Sequence, residues 1–115
     1  MESILTSIKK LLGIDEEYTH FDTDIIIHIN SVLMTLNQLG IGPVDGFSIT
    51  DDTETWGDFL EDVTILEAVK TYVLVKVRMM FDPPTSSVVL QAFERIANEM
   101  EWRLTLQGEG VEPVV

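Results

Sequence analysis

Apolar residues recur at helical spacing in four stretches of the chain, and each stretch predicts a helix. The first helix is predicted from about Ser3 to Leu12, with Gly13 as its end. The second is predicted from a cap at Asp22 or Thr23 to the residue before Gly40. Its apolar positions step by four and three, so they share one face, which is typical of a helix packed on a core.

The third and fourth apolar runs predict the two longest helices. The third begins near Thr64, which matches a capping box with Glu67, or at Asp62, and it runs to Phe81. Its centre, Tyr72 to Val75, is apolar on every face, which is typical of the most central helix of a bundle. The fourth helix runs to about Leu106. Its predicted buried stripe consists of Val89, Phe93, Ile96, Met100 and Leu104.

A double proline separates these two helices. A residue before proline is pushed out of the α region, and here this happens at two successive positions. The hydroxyl groups that follow the prolines can accept hydrogen bonds from the free amides at the start of the next helix. The connection is short, so the two helices are expected to pack antiparallel. The predicted turn consists of Asp82, Pro83, Pro84, Thr85, Ser86 and Ser87.

The pattern as a whole predicts an all-α fold. We expect a small bundle of four main helices, with an antiparallel hairpin of the two long C-terminal helices. Residues 44–52 are expected to be irregular or β-like, because Asp45-Gly46 is a turn signal and Phe47 to Ile49 has the composition of a very short strand. The 115 residues suit one helical domain, 1–107, followed by a flexible tail, 108–115, that lacks apolar periodicity.

Composition and charge exclude several classes of function. The formal net charge is −13, so most of the surface would repel a phosphate backbone, and reading of nucleic-acid grooves is not expected. The absence of cysteine removes disulfides, thiol catalysis and cysteine-ligated zinc. No apolar run approaches the roughly 20 residues that a membrane-spanning helix needs, and no membrane contact is expected.

Candidate catalytic or metal-binding groups are few. Asp24 and His28 are four residues apart, a spacing that can place two ligands on one helix face, but a histidine beside an isoleucine-rich face accounts for the same pattern. The acidic residues between positions 51 and 62 lack the spacing of a calcium loop and are typical of a solvated face. We therefore assign no catalytic residue, no metal site and no cofactor, and we do not expect an enzyme. A carboxylate–metal hydrolase is kept as a minor alternative.

The order of the motifs resembles the phage head–tail connector family, whose members are also called adaptor or DNA-packaging proteins of tailed phages and prophages. The resemblance runs from Ile4 to about Gln107 through ILTSIKKLLGI, WGDFL, LEAVKTYVLVKVRMMFDPPTSS and EMEWRL. Its most specific pieces are Phe81 to Ser87 and Glu101 to Leu104. Neither piece alone is specific, and the resemblance rests on the order and spacing of the pieces together.

The resemblance implies a structural protein of the virion neck that is found in the host cytoplasm during assembly. It implies a ring that attaches below the portal after DNA packaging and seats the stopper or tail-completion protein. The expected partners are further copies of the chain in a dodecameric ring, the portal protein, a head-completion or tail protein, and double-stranded DNA as a passing, non-specific contact. The alternative is a small acidic DNA mimic that inhibits a host DNA-binding protein.

A ring also implies a subunit interface in which two different faces meet. Apolar residues that lie outside a clean core stripe are the natural candidates for such faces. Trp102 is off the main stripe of the fourth helix, and Trp56 and Phe59 share a short segment outside the long helices. The predicted interface residues are Trp56, Phe59, Trp102 and Arg103.

Overall fold

Five helices form the part of the chain that this computed structural model describes, residues 2–109. They are α1 (Ile4–Leu11), α2 (Asp22–Gln38), α3 (Trp56–Phe59), α4 (Leu66–Phe81) and α5 (Ser87–Gly108). Within these residues there is no strand, and the single isolated β-bridge joins Ser3 to Thr55. The predicted all-α bundle with four main helices is therefore confirmed. No helix of residues 2–109 combines the length and the apolar character that crossing a membrane requires.

Helix α4 lies at the centre, with α2 on one side and α5 on the other. The ring of Phe21, at the start of α2, packs 5.4 Å from that of Phe81, at the end of α4, while the end of α2 meets Gly108 at the open end of the α4–α5 hairpin. Helices α2 and α4 are therefore antiparallel. Tyr72 bonds to Glu101 and Arg78 lies over Phe93, so α5 is antiparallel to α4 as well. The central position predicted for the third long helix is confirmed, since six of its residues are buried: Leu66, Val69, Tyr72, Val73, Val75 and Val77.

The double-proline turn ends α4 at Phe81, as predicted. α5 begins at Ser87, which the sequence had placed in the turn, so the turn is one residue shorter than predicted. The Ser86 side chain is the cap of α5, because its hydroxyl oxygen accepts a hydrogen bond from the Val89 amide at 3.4 Å. The antiparallel hairpin follows from this turn, as the sequence indicated.

The predicted buried stripe of α5 is only partly correct. Leu104 is buried and Met100 packs against the core, but Val89 and Ile96 are exposed. Ala97, which was not predicted, is buried instead. The reason is that α5 lies at the edge of the bundle and packs mainly on α4, so only a narrow strip of it is covered.

The predicted caps of α2 and α4 are wrong. Residues Phe21 and Ile65 precede these helices, and neither helix has a side-chain cap. Thr64 instead donates hydrogen bonds from its amide and its hydroxyl to the Asp62 carboxylate, which closes a turn. A capping box does occur at α3, where Thr55 and Asp58 bond reciprocally.

The side chain of Asp22 is engaged by a buried lysine. Lys9 is 2% exposed, and its Nζ lies 2.8 Å from Asp22 Oδ1. The same ammonium donates to the carbonyl oxygens of Glu16 at 2.9 Å and Tyr18 at 2.8 Å. One charged group thereby joins α1, the loop after it and the first turn of α2. Asp22 Oδ1 has no other polar partner within residues 2–109, so Lys9 alone compensates its burial.

Two asparagines of α2 hold the irregular segment around residues 44–52. The Asn30 side chain accepts from the Ile49 amide at 2.8 Å and donates to the Ile49 carbonyl at 2.9 Å, which imitates the pairing of two strands. Asn37 donates to the Pro43 carbonyl at 2.9 Å. The segment is irregular, as expected, but the possible short strand from Phe47 to Ile49 does not form, and Ile49 is buried in the core.

The C-terminal end of α5 packs against the end of α2. A Cβ added at Gly108 would collide with the Leu39 carbonyl oxygen, so only glycine permits this approach of the two backbones. Most of the predicted flexible tail, 108–115, lies outside the described residues, which end at Glu109.

Candidate assembly surface

The four predicted interface residues are not brought together by the fold. Trp56 is 0% exposed, and its indole Nε1 donates to Ser7 Oγ at 2.8 Å. Phe59 is buried too and packs on Phe47. The expectation that these two residues form a subunit face is therefore corrected: the capping box at Thr55 turns α3 inward, and both aromatic rings complete the core of the single subunit.

Trp102 and Arg103 do lie on the surface. Trp102 is 51% exposed, on the side of α5 that faces away from α4. The guanidinium of Arg103 pairs with Glu99 Oε1 at 3.0 Å, one turn earlier. An exposed pair of this kind contributes little to the stability of the subunit, so these side chains are available for another contact.

The EMEWRL motif divides between the two sides of α5. Glu101 accepts a hydrogen bond from the Tyr72 hydroxyl at 2.9 Å, and Leu104 is buried against the core. The two residues between them, Trp102 and Arg103, point outward because successive helical positions are about 100° apart. The motif therefore anchors α5 to α4 while it presents a tryptophan to the outside.

The outward side of α5 carries a row of residues that step by four and three. We call Val88, Ala92, Arg95, Glu99 and Trp102 the α5 outer row. Val88 and Trp102 are large exposed apolar residues, and Arg95 forms no ion pair within residues 2–109. A row with this spacing is what one helix presents to another in a packed pair.

A second row lies on the outward side of α2. We call Asp24, Ile27, Ser31, Met34 and Gln38 the α2 outer row; all five are exposed. Met34 is 61% exposed, and Ile27 lies two turns before it on the same face. The core-facing residues of α2, such as Ile29 and Leu36, are on the opposite side. Sequence analysis missed this row, although two apolar residues seven apart and off the main stripe were a usable signal.

Several of the acidic residues between α2 and α4 have local structural roles. Asp51 accepts hydrogen bonds from Thr53, and Glu54 accepts from Thr50. The hydrogen bonds from Thr53 hold the pKa of Asp51 below its usual value, and those from Thr64 do the same to the pKa of Asp62. These carboxylates close turns on a solvated face, in agreement with the interpretation from the sequence.

A surface groove of about 580 Å³ contains Asp24 and His28, the pair with metal-ligand spacing. Phe21, Met80 and Phe81 form much of its wall, and the His28 ring lies 6.3 Å from that of Phe81. Within residues 2–109 no group of three or more histidines and carboxylates is arranged to hold a metal ion. The contact with Phe81 accounts for the position of His28.

One protein-family profile, described as phage connector protein, matches residues 4–111, which is nearly the whole chain. The chain belongs to the phage connector protein family. The resemblance seen in the order of the sequence motifs is thus confirmed. No curated protein and no solved structure gives a match.

Membership assigns this connector protein a structural role in phage particles, where it assembles with other virion proteins. For a connector subunit the relevant geometry is that of its outer faces. The two outer rows lie on different helices, which both pack on α4 and meet each other at their C-terminal ends. Two unlike faces on one subunit are what head-to-tail association requires.

The Tyr72–Glu101 hydrogen bond of the connector subunit gives a pH-dependent prediction. Burial of the phenol, and then the hydrogen bond and charge of Glu101, raise the pKa of Tyr72 well above its usual value near 10. A group whose pKa is raised by folding stabilises the fold while it stays protonated, and that stabilisation is lost as the pH rises above about 10. We expect Tyr72→Phe to cost about 1–2 kcal/mol at neutral pH.

Urea unfolding at pH 7 and above pH 10 measures both effects. The variant should lose less stability than the wild type over that interval, because it lacks the titrating phenol. Thr71→Ala, at the exposed neighbouring position on α4, is the control. Equal losses in wild type and Tyr72→Phe would contradict the assignment.

Proposed function

We propose that this chain forms the adaptor ring at the virion neck, below the portal. In this proposal it attaches after DNA packaging, having been held in the host cytoplasm until then, and it seats the stopper or tail-completion protein. The observation that supports it most directly is the combination of family membership with two unlike, partly apolar faces on one subunit. Such faces suit the heterologous interface of a closed ring.

The charge of the chain supports a passive relation to DNA. A net charge of −13 per subunit is multiplied in a ring, and DNA passing through it would be repelled by the wall. The same repulsion acts between subunits, so their contact must supply apolar burial or local pairing of opposite charges. Trp102 and Arg103 are the members of the predicted interface that remain available on the surface for this purpose.

Analysis of purified particles tests the proposed function. Particles of the phage that encodes this chain should contain it in a fixed ratio to the portal protein, dodecameric in our proposal, and images of the neck should show a ring under the portal. Absence of the chain from complete particles would refute the proposal. Co-purification with a host DNA-binding protein instead would support the DNA-mimic alternative.

Trp102→Ala should reduce incorporation into particles without unfolding the subunit. A tryptophan near the centre of an interface typically costs 2 kcal/mol or more when truncated, which corresponds to a loss of about 30-fold in affinity. Particle yield and the chain-to-portal ratio measure this effect. Tyr18→Ala is the matched control, because Tyr18 is 52% exposed but lies in the loop after α1, outside both outer rows. Equal yields from the two variants would remove Trp102 from the interface.

A further inference from the structure

We propose that the α2 outer row of one subunit packs against the α5 outer row of the next, with Met34 on Trp102 and Asp24 beside Arg95. The occupant of each exposed row is thus a second copy of this chain. The inference rests on the proposed ring and adds to it the two faces, their register and one ion pair.

Helices α2 and α5 run in the same direction. α2 and α5 are both antiparallel to α4, so they run in the same direction on either side of it. Both outer rows are on the helix faces opposite the buried residues, so they point away from the core. A neighbour placed beside α5 in the same orientation therefore brings its α2 to that side, and the succession of α2, α4 and α5 repeats around the ring.

The contacts within one subunit show which residues of α2 and α5 lie at the same height along the bundle. Leu39 of α2 lies against Gly108 of α5, an offset of 69 positions. At the other end, Phe21 packs on Phe81, and the hairpin that pairs Arg78 with Phe93 places Phe81 close to Gln91 in height. The Phe81 ring also lies 6.3 Å from that of His28, so this end allows an offset between about 63 and 70 positions, a range that includes the value at the Leu39–Gly108 end.

A closed ring fixes the register between subunits. The subunits of a closed ring are related by rotation about the ring axis without translation along it. Equivalent residues of all subunits therefore have the same height above the ring plane. The proposal stands the helices along the ring axis, so the offset within one subunit also holds between neighbours. With the offset at the nearer end, Leu39 to Gly108, Met34 is level with Trp102 to within about one residue, or ~1.5 Å.

The side chains that the proposal brings together are chemically complementary. The thioether of methionine is a favourable partner for an aromatic ring, and both Met34 and Trp102 are exposed in the single subunit. Asp24 and Arg95 lie in the N-terminal halves of α2 and α5, and within residues 2–109 neither forms an ion pair. The proposed contact gives each charge an opposite partner in an otherwise strongly acidic assembly.

Disulfide cross-linking tests the register directly, since the chain has no cysteine of its own. Particles assembled with the double variant Met34→Cys/Trp102→Cys should give, on oxidation, a ladder of covalent multimers of this chain. The single variants should give no covalent dimer, because unlike faces meet. Tyr18→Cys/Trp102→Cys, which replaces the α2 position by an exposed loop position, should give no ladder.

The outcomes separate this inference from the ring itself. Particles that contain the double variant at the wild-type ratio to the portal protein but give no ladder would overturn the inference and leave the ring standing. Covalent dimers from either single variant would also overturn it. Absence of the wild-type chain from particles would overturn the ring and the inference together.

Charge reversal provides a second test that involves exposed positions and no loss of apolar surface. Asp24→Arg and Arg95→Asp should each lower incorporation by at least about tenfold, because like charges then meet across the contact. The double variant should recover most of the wild-type level. Double-variant incorporation no higher than that of the weaker single variant would overturn the proposed pairing.

Discussion

Replacing Trp56 with alanine is expected to lower the free energy of unfolding of the connector subunit by about 3–5 kcal/mol, the usual cost of truncating a buried tryptophan. The side chain is fully buried, and its loss leaves a cavity between α1, α3 and α4. It also leaves the Ser7 hydroxyl without its indole donor. Urea unfolding followed by circular dichroism measures the effect.

Trp102→Ala is the natural control for this experiment, because it removes the other tryptophan of the chain from an exposed site. It should change subunit stability by less than about 1 kcal/mol, as for other surface substitutions. The two variants therefore separate folding from assembly. Similar stability losses in both would contradict the core position of Trp56.

Replacing Lys9 with alanine is expected to have an effect of the same size. Removal of one partner of a buried ion pair typically costs about 3–5 kcal/mol, because the other charge is left without compensation. Asp22 is 25% exposed, so we expect the lower part of that range. Here the Asp22 carboxylate and the carbonyls of Glu16 and Tyr18 would all lose their donor. The loop between α1 and α2 should loosen as well, which limited proteolysis would detect.

Lys10→Ala provides the matched control, since Lys10 is the adjacent lysine and is exposed. It removes the same charge from the chain, so the difference between the variants isolates the buried contacts of Lys9. The Lys9 variant should unfold at distinctly lower urea concentration than the Lys10 variant. Coincident unfolding curves would show that the buried ammonium does not stabilise the fold.

The hairpin of the two long helices illustrates what local sequence can predict. Two prolines restrict the backbone at adjacent positions, whatever the rest of the molecule does, and a serine supplies the cap. The end of α4 at Phe81 was therefore predictable to the residue, whereas the start of α5 was predictable only to the cluster of Thr85, Ser86 and Ser87. The caps of α2 and α4 were not, because Asp22 and Thr64 had other partners to bond.

The candidate assembly surface was predicted only in part. Periodicity correctly indicated that Trp102 lies off the buried stripe of its helix. It could not place Trp56, because α3 is a single turn whose orientation depends on the Thr55 capping box and the pocket formed by α1 and α4. The α2 outer row emerged only when the structure showed which face of α2 the core covers.

The sequence by itself determined the helical class, the double-proline hairpin, the central helix and the family, because these depend on local backbone restriction and on periodic spacing. Only the tertiary structure decided which tryptophan is core and which is surface, how Lys9 is buried, and which rows of α2 and α5 are left uncovered. The physical reason is that burial depends on which elements meet. A helix at the edge of a bundle is covered along a narrower strip than its apolar pattern suggests.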